Sequence, residues 1–249
     1  MTALGENLST DIHSRSTSTA TPAPATLLAW DLPTRIAKWL LAALVGLAFV
    51  SKYYGDVGLV WHQWNGLAIL VIIVFRLFWG VVGGSTARFA GFIYGPGRWI
   101  GYVAALLRGR AQHYLGHNPV GGWMVIALLA VVAAQALTGL FTSDDIIVYG
   151  PLTNVVSDAT MARASALHGT IFQLLLWLIG IHVAANIAYS VFGSDNLIFA
   201  MLTGRKPVAP YLDKAPATPG SVVLALACLV AAVGVVFGGI ALAGGDPFP

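Results

Sequence analysis

Five long apolar stretches, separated by polar or basic connections, dominate the pattern of the chain. They fall at roughly 34–52, 60–80, 122–142, 167–191 and 220–243. Each has about the twenty residues that an α-helix needs to cross ~30 Å of hydrocarbon. The pattern therefore predicts an all-α integral membrane protein with five transmembrane helices.

Composition agrees with this prediction, because only 9% of the residues are charged, against about a quarter in soluble domains. Residues 1–27 lack apolar periodicity and are rich in Ser, Thr, Ala and Pro, which predicts a disordered tail. The formal net charge is only +3, and we expect membrane lipid around the helices and no nucleic-acid partner.

The basic residues are unevenly distributed over the connections. One set of connections holds Arg15, Arg35 and Lys38, then Arg88, Arg98, Arg108 and Arg110, then Arg205, Lys206 and Lys214. The opposite set carries Asp56, Asp144, Asp145 and Asp158 against only Lys52 and Arg163. The positive-inside rule then places the N-terminus in the cytoplasm and the C-terminus in the periplasm of a bacterial inner membrane.

One cytoplasmic connection, GRWIGYVAALLRGRAQHY at 97–114, has the pattern of a helix lying on the inner leaflet. Its apolar positions are Ile100, Val103, Leu106 and Leu107. Trp99 and Tyr102 are residue types that favour the membrane interface.

The fourth apolar stretch carries the candidate chemistry, since LHGTIFQLLLWLIGIHVA contains His168 and His182. Fourteen residues make almost four helical turns, so both imidazoles share one face, roughly 21 Å apart along the axis. Ionisable residues in membrane helices usually mark function, and histidine is a common axial ligand of haem iron. The single Cys228 excludes a CxxCH haem attachment and a cysteine-ligated cluster within this chain. The spacing therefore suggests two cofactor layers.

Residues on the first and second helices lie at the same membrane depths as His168 and His182. His62 opens the second helix at the outer level of His168, and these two histidines could hold one iron from both sides. Arg76 follows His62 by fourteen residues and reaches the inner level, either to snorkel or to meet haem propionates. Opposite His182, the inner half of the first helix offers Lys38 and no His, Met or Cys.

Several motifs together resemble one family, the bacterial di-haem b-type cytochromes. That family includes the cytochrome b-561 group and the membrane subunits of nickel–iron hydrogenase and formate dehydrogenase. The motifs are TRIAKW, VWHQWNG, FRLFWG, ARFAGF, YLGHNPVGGWM, the two histidines of the fourth helix, and NLIFAMLTGRK. The resemblance covers about 30–206.

The resemblance implies a four-helix bundle at 28–206 with two b haems, followed by a linker and fifth transmembrane helix at 207–249. Carried over by position, His62 and His168 ligate the outer haem and His182 the inner one. Lys38 stands where the family has a histidine. It could ligate as a neutral amine, leave a five-coordinate iron or coincide with loss of the inner haem. It could also remain charged and either meet a propionate or snorkel to the membrane surface.

The expected function is electron transfer between a quinone pool and a periplasmic cytochrome c or oxidoreductase subunit. The alternatives are a self-contained quinone-linked oxidoreductase acting on a small oxidant such as superoxide, and a haem-stabilised membrane anchor. The resemblance also implies that the loop around His113 and His117 borders a quinone site near the inner haem, although a structural turn explains these residues as well.

The fifth helix contains no ionisable residue and lies outside the resemblance. Gly234 and Gly238 have the GxxxG spacing that lets two helices approach closely. We expect this face to pack against a partner chain or a second copy of the protein, and Cys228 to be a buried, inert thiol.

Overall fold

The computed structural model describes residues 26–55, 59–192, 196–208, 211–212 and 217–248. Within these ranges five helices are long and apolar enough to span a membrane, which confirms the predicted all-α membrane architecture. They are α1 (Leu32–Tyr54), α2 (Val60–Val82), α4 (Pro119–Gly139), α5 (Asp158–Phe192) and α7 (Val222–Leu242). Nearly all of the predicted tail, together with Asp56 and Lys214, lies outside the described residues.

Local sequence fixes where three of these helices begin. The side chains of Asp31, Asn118 and Ser221 each accept a hydrogen bond from a backbone N–H in the first turn of α1, α4 and α7. Proline follows in the first turn of α1 and α4, where its missing N–H costs no helical hydrogen bond. These signals place each start within about three residues of the predicted one.

Helix α2 forms the centre of the bundle. It contacts α1, α4 and α7, while α5 packs along α4. Most of the residues in the inner half of α2 are buried, from Leu67 to Gly80. Helices α1, α5 and α7 leave many apolar side chains exposed, whereas most residues of α4 are half-buried. Such exposure is expected for helices whose outer faces contact lipid rather than water.

The amphipathic segment forms helix α3 at Pro96–Leu107, shorter than the pattern suggested. It ends there because Gly109 adopts a left-handed conformation, with φ of 65°. Ile100 and Leu107 are exposed, as the prediction of a lipid-facing side requires. Tyr102 is instead buried, and its hydroxyl is hydrogen-bonded to that of Tyr189 on α5.

Helix α7 packs against α2 of the same chain. Its buried positions recur at helical spacing: Ala225, Cys228, Ala232, Val236 and Ile240. Cys228 is a buried free thiol, as expected. A Cβ atom added at Gly234 or Gly238 would meet nothing within 4 Å, so the glycine face lies away from α2. A partner for that face stays a prediction.

The all-α pattern gave no indication of one small feature, a two-stranded antiparallel ribbon. Strand β1 (Thr26–Leu28) pairs with β2 (Arg205–Pro207), which follows the short helix α6 (Leu197–Thr203). The Arg35 guanidinium also donates to the backbone carbonyls of Met201 and Leu202. These contacts hold the end of the bundle sequence against the start of α1.

A buried carboxylate joins three helix ends on the inner side. Asp31 is 4% exposed and accepts hydrogen bonds from Thr34 N at 3.0 Å, Gly84 N at 3.2 Å and Gly220 N at 3.3 Å. The indole N–H of Trp79, which is fully buried, lies 3.5 Å from the same carboxylate. Asp31 therefore connects the start of α1, the end of α2 and the segment before α7.

Replacing Asp31 by Ala should destabilise the protein strongly, because several buried N–H groups would lose their acceptor. We expect a loss of at least about 3 kcal/mol, since each unsatisfied buried donor costs about 1–3 kcal/mol. Asp31→Asn retains one acceptor oxygen and should lose less. Chemical denaturation in detergent measures both, and equal stability of Asp31→Ala and the unmodified protein would contradict this role.

Candidate functional site

Two histidines from different helices face each other on the predicted outer side. The ring centroids of His62 on α2 and His168 on α5 are 6.3 Å apart, and their planes are nearly perpendicular, at 83°. Because a metal ion binds an imidazole nitrogen at about 2 Å, two trans imidazoles on one ion have ring centroids roughly 6 Å apart. The separation therefore matches a pair of axial ligands.

Nδ1 is hydrogen-bonded to a backbone carbonyl in both histidine rings. His62 Nδ1 lies 2.8 Å from the carbonyl oxygen of Ala48 on α1, and His168 Nδ1 lies 2.9 Å from that of Gln135 on α4. A carbonyl can only accept, so Nδ1 carries the proton in each neutral ring and Nε2 keeps its lone pair. Metal-binding histidines are typically oriented by a hydrogen bond of this kind.

Space for a flat group surrounds the histidine pair. Two cavities, of about 300 and 330 Å³, are each lined by both His62 and His168. Gly66 on α2 and Gly169 on α5 line both cavities as well, and a Cβ atom at either would meet nothing within 4 Å. The missing side chains leave room on the helix surfaces beside the pair, where a planar macrocycle would lie.

A third, smaller cavity lies at the predicted inner level, with a volume of about 110 Å³. His182, Lys38 and Arg76 line it together, as their sequence spacing predicted. The Arg76 side chain is 7% exposed, and its guanidinium lies 4.8 Å from the ring centre of Phe89. The structure thus brings the three inner candidates to one place.

Two further residues line the inner cavity, and only one of them was singled out from the sequence. Met201 on α6 and His117, just before α4, both line it. His117 contacts the rings of Trp30 and Phe92, at centroid distances of 4.5 and 4.6 Å. Burial holds the pKa of His117 well below its ordinary value, and the nearby cations lower it further. The resemblance had placed the loop around His117 near the inner level, whereas nothing in the sequence indicated Met201 as a cavity residue.

The two levels differ in how well they suit a haem. The inner cavity has about a third of the volume of either outer cavity, and no glycine lines it. The nearest hydrogen-bonding group to the His182 ring nitrogens is the amide N of Asn186, at 3.2 and 3.4 Å, rather than a carbonyl. The residues therefore fit a haem at the outer level and fit one poorly at the inner level. A haem held by His182 and Lys38 stays a prediction.

Membrane-spanning helices around an oriented histidine pair are the architecture of a membrane haem protein. The model of the prokaryotic cytochrome b561 family matches residues 29–204, and the chain belongs to this family. No individual curated protein is similar enough to the chain to count as a match.

Family membership makes the chain a multi-pass bacterial membrane protein, a b-type cytochrome that takes part in electron transfer. A b haem, when bound, supplies the iron that changes oxidation state. The chain supplies the axial nitrogens, the surrounding space and the charges. This division agrees with an outer site in which backbone carbonyls orient both imidazoles.

Filling the space at Gly66 should prevent haem binding without removing a ligand. In Gly66→Leu the new side chain would occupy both outer cavities, so we expect haem content to fall to background. Gly234→Leu is the matched control, because it adds the same side chain to an exposed face of a spanning helix. Absorbance per polypeptide gives the haem content, and full haem in Gly66→Leu would contradict the assigned position.

Proposed function

We propose that His62 and His168 are the two axial ligands of a low-spin haem b on the periplasmic side of the bundle. The observation that supports this most strongly is the pair of imidazoles 6.3 Å apart, each with Nδ1 held by a backbone carbonyl. Donation from Nδ1 makes Nε2 more basic and fixes the direction of its lone pair. Both features favour six-coordinate iron.

The protein would then carry electrons between a quinone pool in the membrane and a periplasmic redox partner, either a cytochrome c or an oxidoreductase subunit. One of the two outer cavities is consistent with electron transfer out of the haem on the periplasmic side. It extends from the histidines to the connection between α4 and α5, where Thr142, Ser143 and Asp144 line it. A haem edge in this cavity would lie close to the surface that a soluble partner could approach.

Order in that connection supports a role as a docking surface. The Asp144 carboxylate accepts hydrogen bonds from the backbone N–H groups of Ile146, Ile147 and Val148, at 2.8–3.0 Å. These bonds lower the pKa of Asp144, so the carboxylate is ionised at neutral pH. Ile146 and Tyr149 are exposed beside it, which gives a partner both apolar and charged contacts.

The ligand assignment is tested by replacing one histidine at a time. His168→Ala and His62→Ala should each abolish the low-spin signal of the outer haem, because bis-histidine coordination requires both rings. Electron paramagnetic resonance and absorbance of the purified variants measure this. Full haem content with an unchanged spectrum in His168→Ala would show that the ligand is another residue.

We propose further that the N-terminus is cytoplasmic and the C-terminus periplasmic, in the inner membrane of a bacterium. The proposal is supported by the five spans and by the basic residues on one set of connections, Arg88, Arg98, Arg108 and Arg110 above all. Reporter fusions after Arg110 and at Pro249 should then report opposite sides. Fusions reporting the same side would contradict this orientation.

A further inference from the structure

The polar groups of the inner cavity are mostly hydrogen-bond donors. Lys38 and Arg76 bring two cations into it. No acidic side chain lines the cavity among the residues that the structure describes. Asp31, a carboxylate that attracts the Arg76 guanidinium, already accepts from three backbone N–H groups and lies 3.5 Å from the Trp79 indole nitrogen. Within the described part of the chain, no side-chain acceptor is therefore paired with either cation.

The donors themselves are unpaired. The Arg76 side chain is only 7% exposed, and its Nη1 atom is buried without a hydrogen-bond partner in the described part of the chain. Over the same ranges, the structure shows no hydrogen bond or ion pair for Lys38. Buried donors without acceptors are costly, particularly when they are charged. A bound molecule with acceptor oxygens would remove this cost.

The aliphatic lining and the volume of the inner cavity indicate what kind of ligand it could bind. Apart from Thr34 and the residues already named, the lining is aliphatic: Ala37, Leu41, Ile72, Val125, Leu128 and Leu129. Such a wall suits a flat, apolar body and disfavours a hydrated inorganic anion. A volume of about 110 Å³ matches a single ring better than a porphyrin macrocycle.

We propose that the inner cavity binds the ring of a quinone, with carbonyl oxygens facing Lys38 and Arg76, in place of a second haem. The proposal rests on the proposed electron-transfer function, which requires a second redox-active molecule besides the outer haem. Lys38 then has a role that histidine would fill less well: its ammonium group donates to an oxygen and stabilises negative charge on the reduced ring. The aliphatic wall would hold the ring between the helices.

The test uses full-length, haem-loaded protein in detergent micelles, titrated with decylubiquinone by calorimetry, with haem per chain measured in parallel. We expect one haem per chain and saturable quinone binding. Lys38→Met should weaken binding by at least about tenfold, the loss expected for a hydrogen bond to a charged group. Lys38→Arg keeps a charged donor and should retain most of the affinity. Arg108→Met changes an exposed cation outside the cavity and should have no effect.

Three results would contradict the proposal. Two haems per chain would overturn the proposal, as would equal quinone affinity in Lys38→Met and the unmodified protein, or tighter binding of decanoate than of quinone. If Lys38→Met failed to fold, shown by loss of the outer haem, Arg76→Gln would provide the same test from the opposite donor. The His168→Ala variant tests the outer haem separately from the quinone proposal, because it removes no group of the inner cavity. Unchanged outer haem in that variant would contradict the outer assignment alone.

Discussion

In hydrocarbon there is no water to satisfy a polar side chain, so every polar group in the bundle needs a partner from the protein or from a ligand. The outer histidines meet this requirement at Nδ1 through the carbonyls of Ala48 and Gln135, which leaves only Nε2 for an iron. Asp31 meets it by accepting hydrogen bonds from three helix ends. These bonds position the helices and orient the two imidazoles, so the bundle and the candidate site depend on the same constraint.

Sequence periodicity was enough to predict the spans and the outer pair, because both follow from one-dimensional spacing. Helical rise converts the fourteen residues between His168 and His182 into depth, and His62 matches the outer depth by its place in α2. The carbonyls that hold these rings could not be predicted, since they depend on how neighbouring helices rotate about their axes. The Asp31 contacts were hidden for a similar reason: Gly84 and Gly220 are far from Asp31 in sequence.

The inner cavity shows which residues cannot be assigned from helical spacing and family motifs. Spacing correctly grouped His182, Lys38 and Arg76, but depth alone could not reveal that His117 and Met201 line the same space. The resemblance placed the loop around His117 near the inner level, but it did not indicate the contacts of the His117 ring with Trp30 and Phe92. Residues of a family motif can therefore share a cavity with residues that the motif does not indicate.

Replacing a ligand by lysine changes what a buried position can hold. A neutral imidazole presents a lone pair to a metal, whereas an ammonium group presents only protons and positive charge. Coordination by Lys38 would require loss of its proton. Because no carboxylate lines the cavity among the described residues, a bound acceptor would stabilise the charged form. Arg76 adds a second charge that cannot be removed by deprotonation. In the proposed arrangement the two cations favour oxygen acceptors in the inner cavity, while the two free lone pairs of His62 and His168 favour iron.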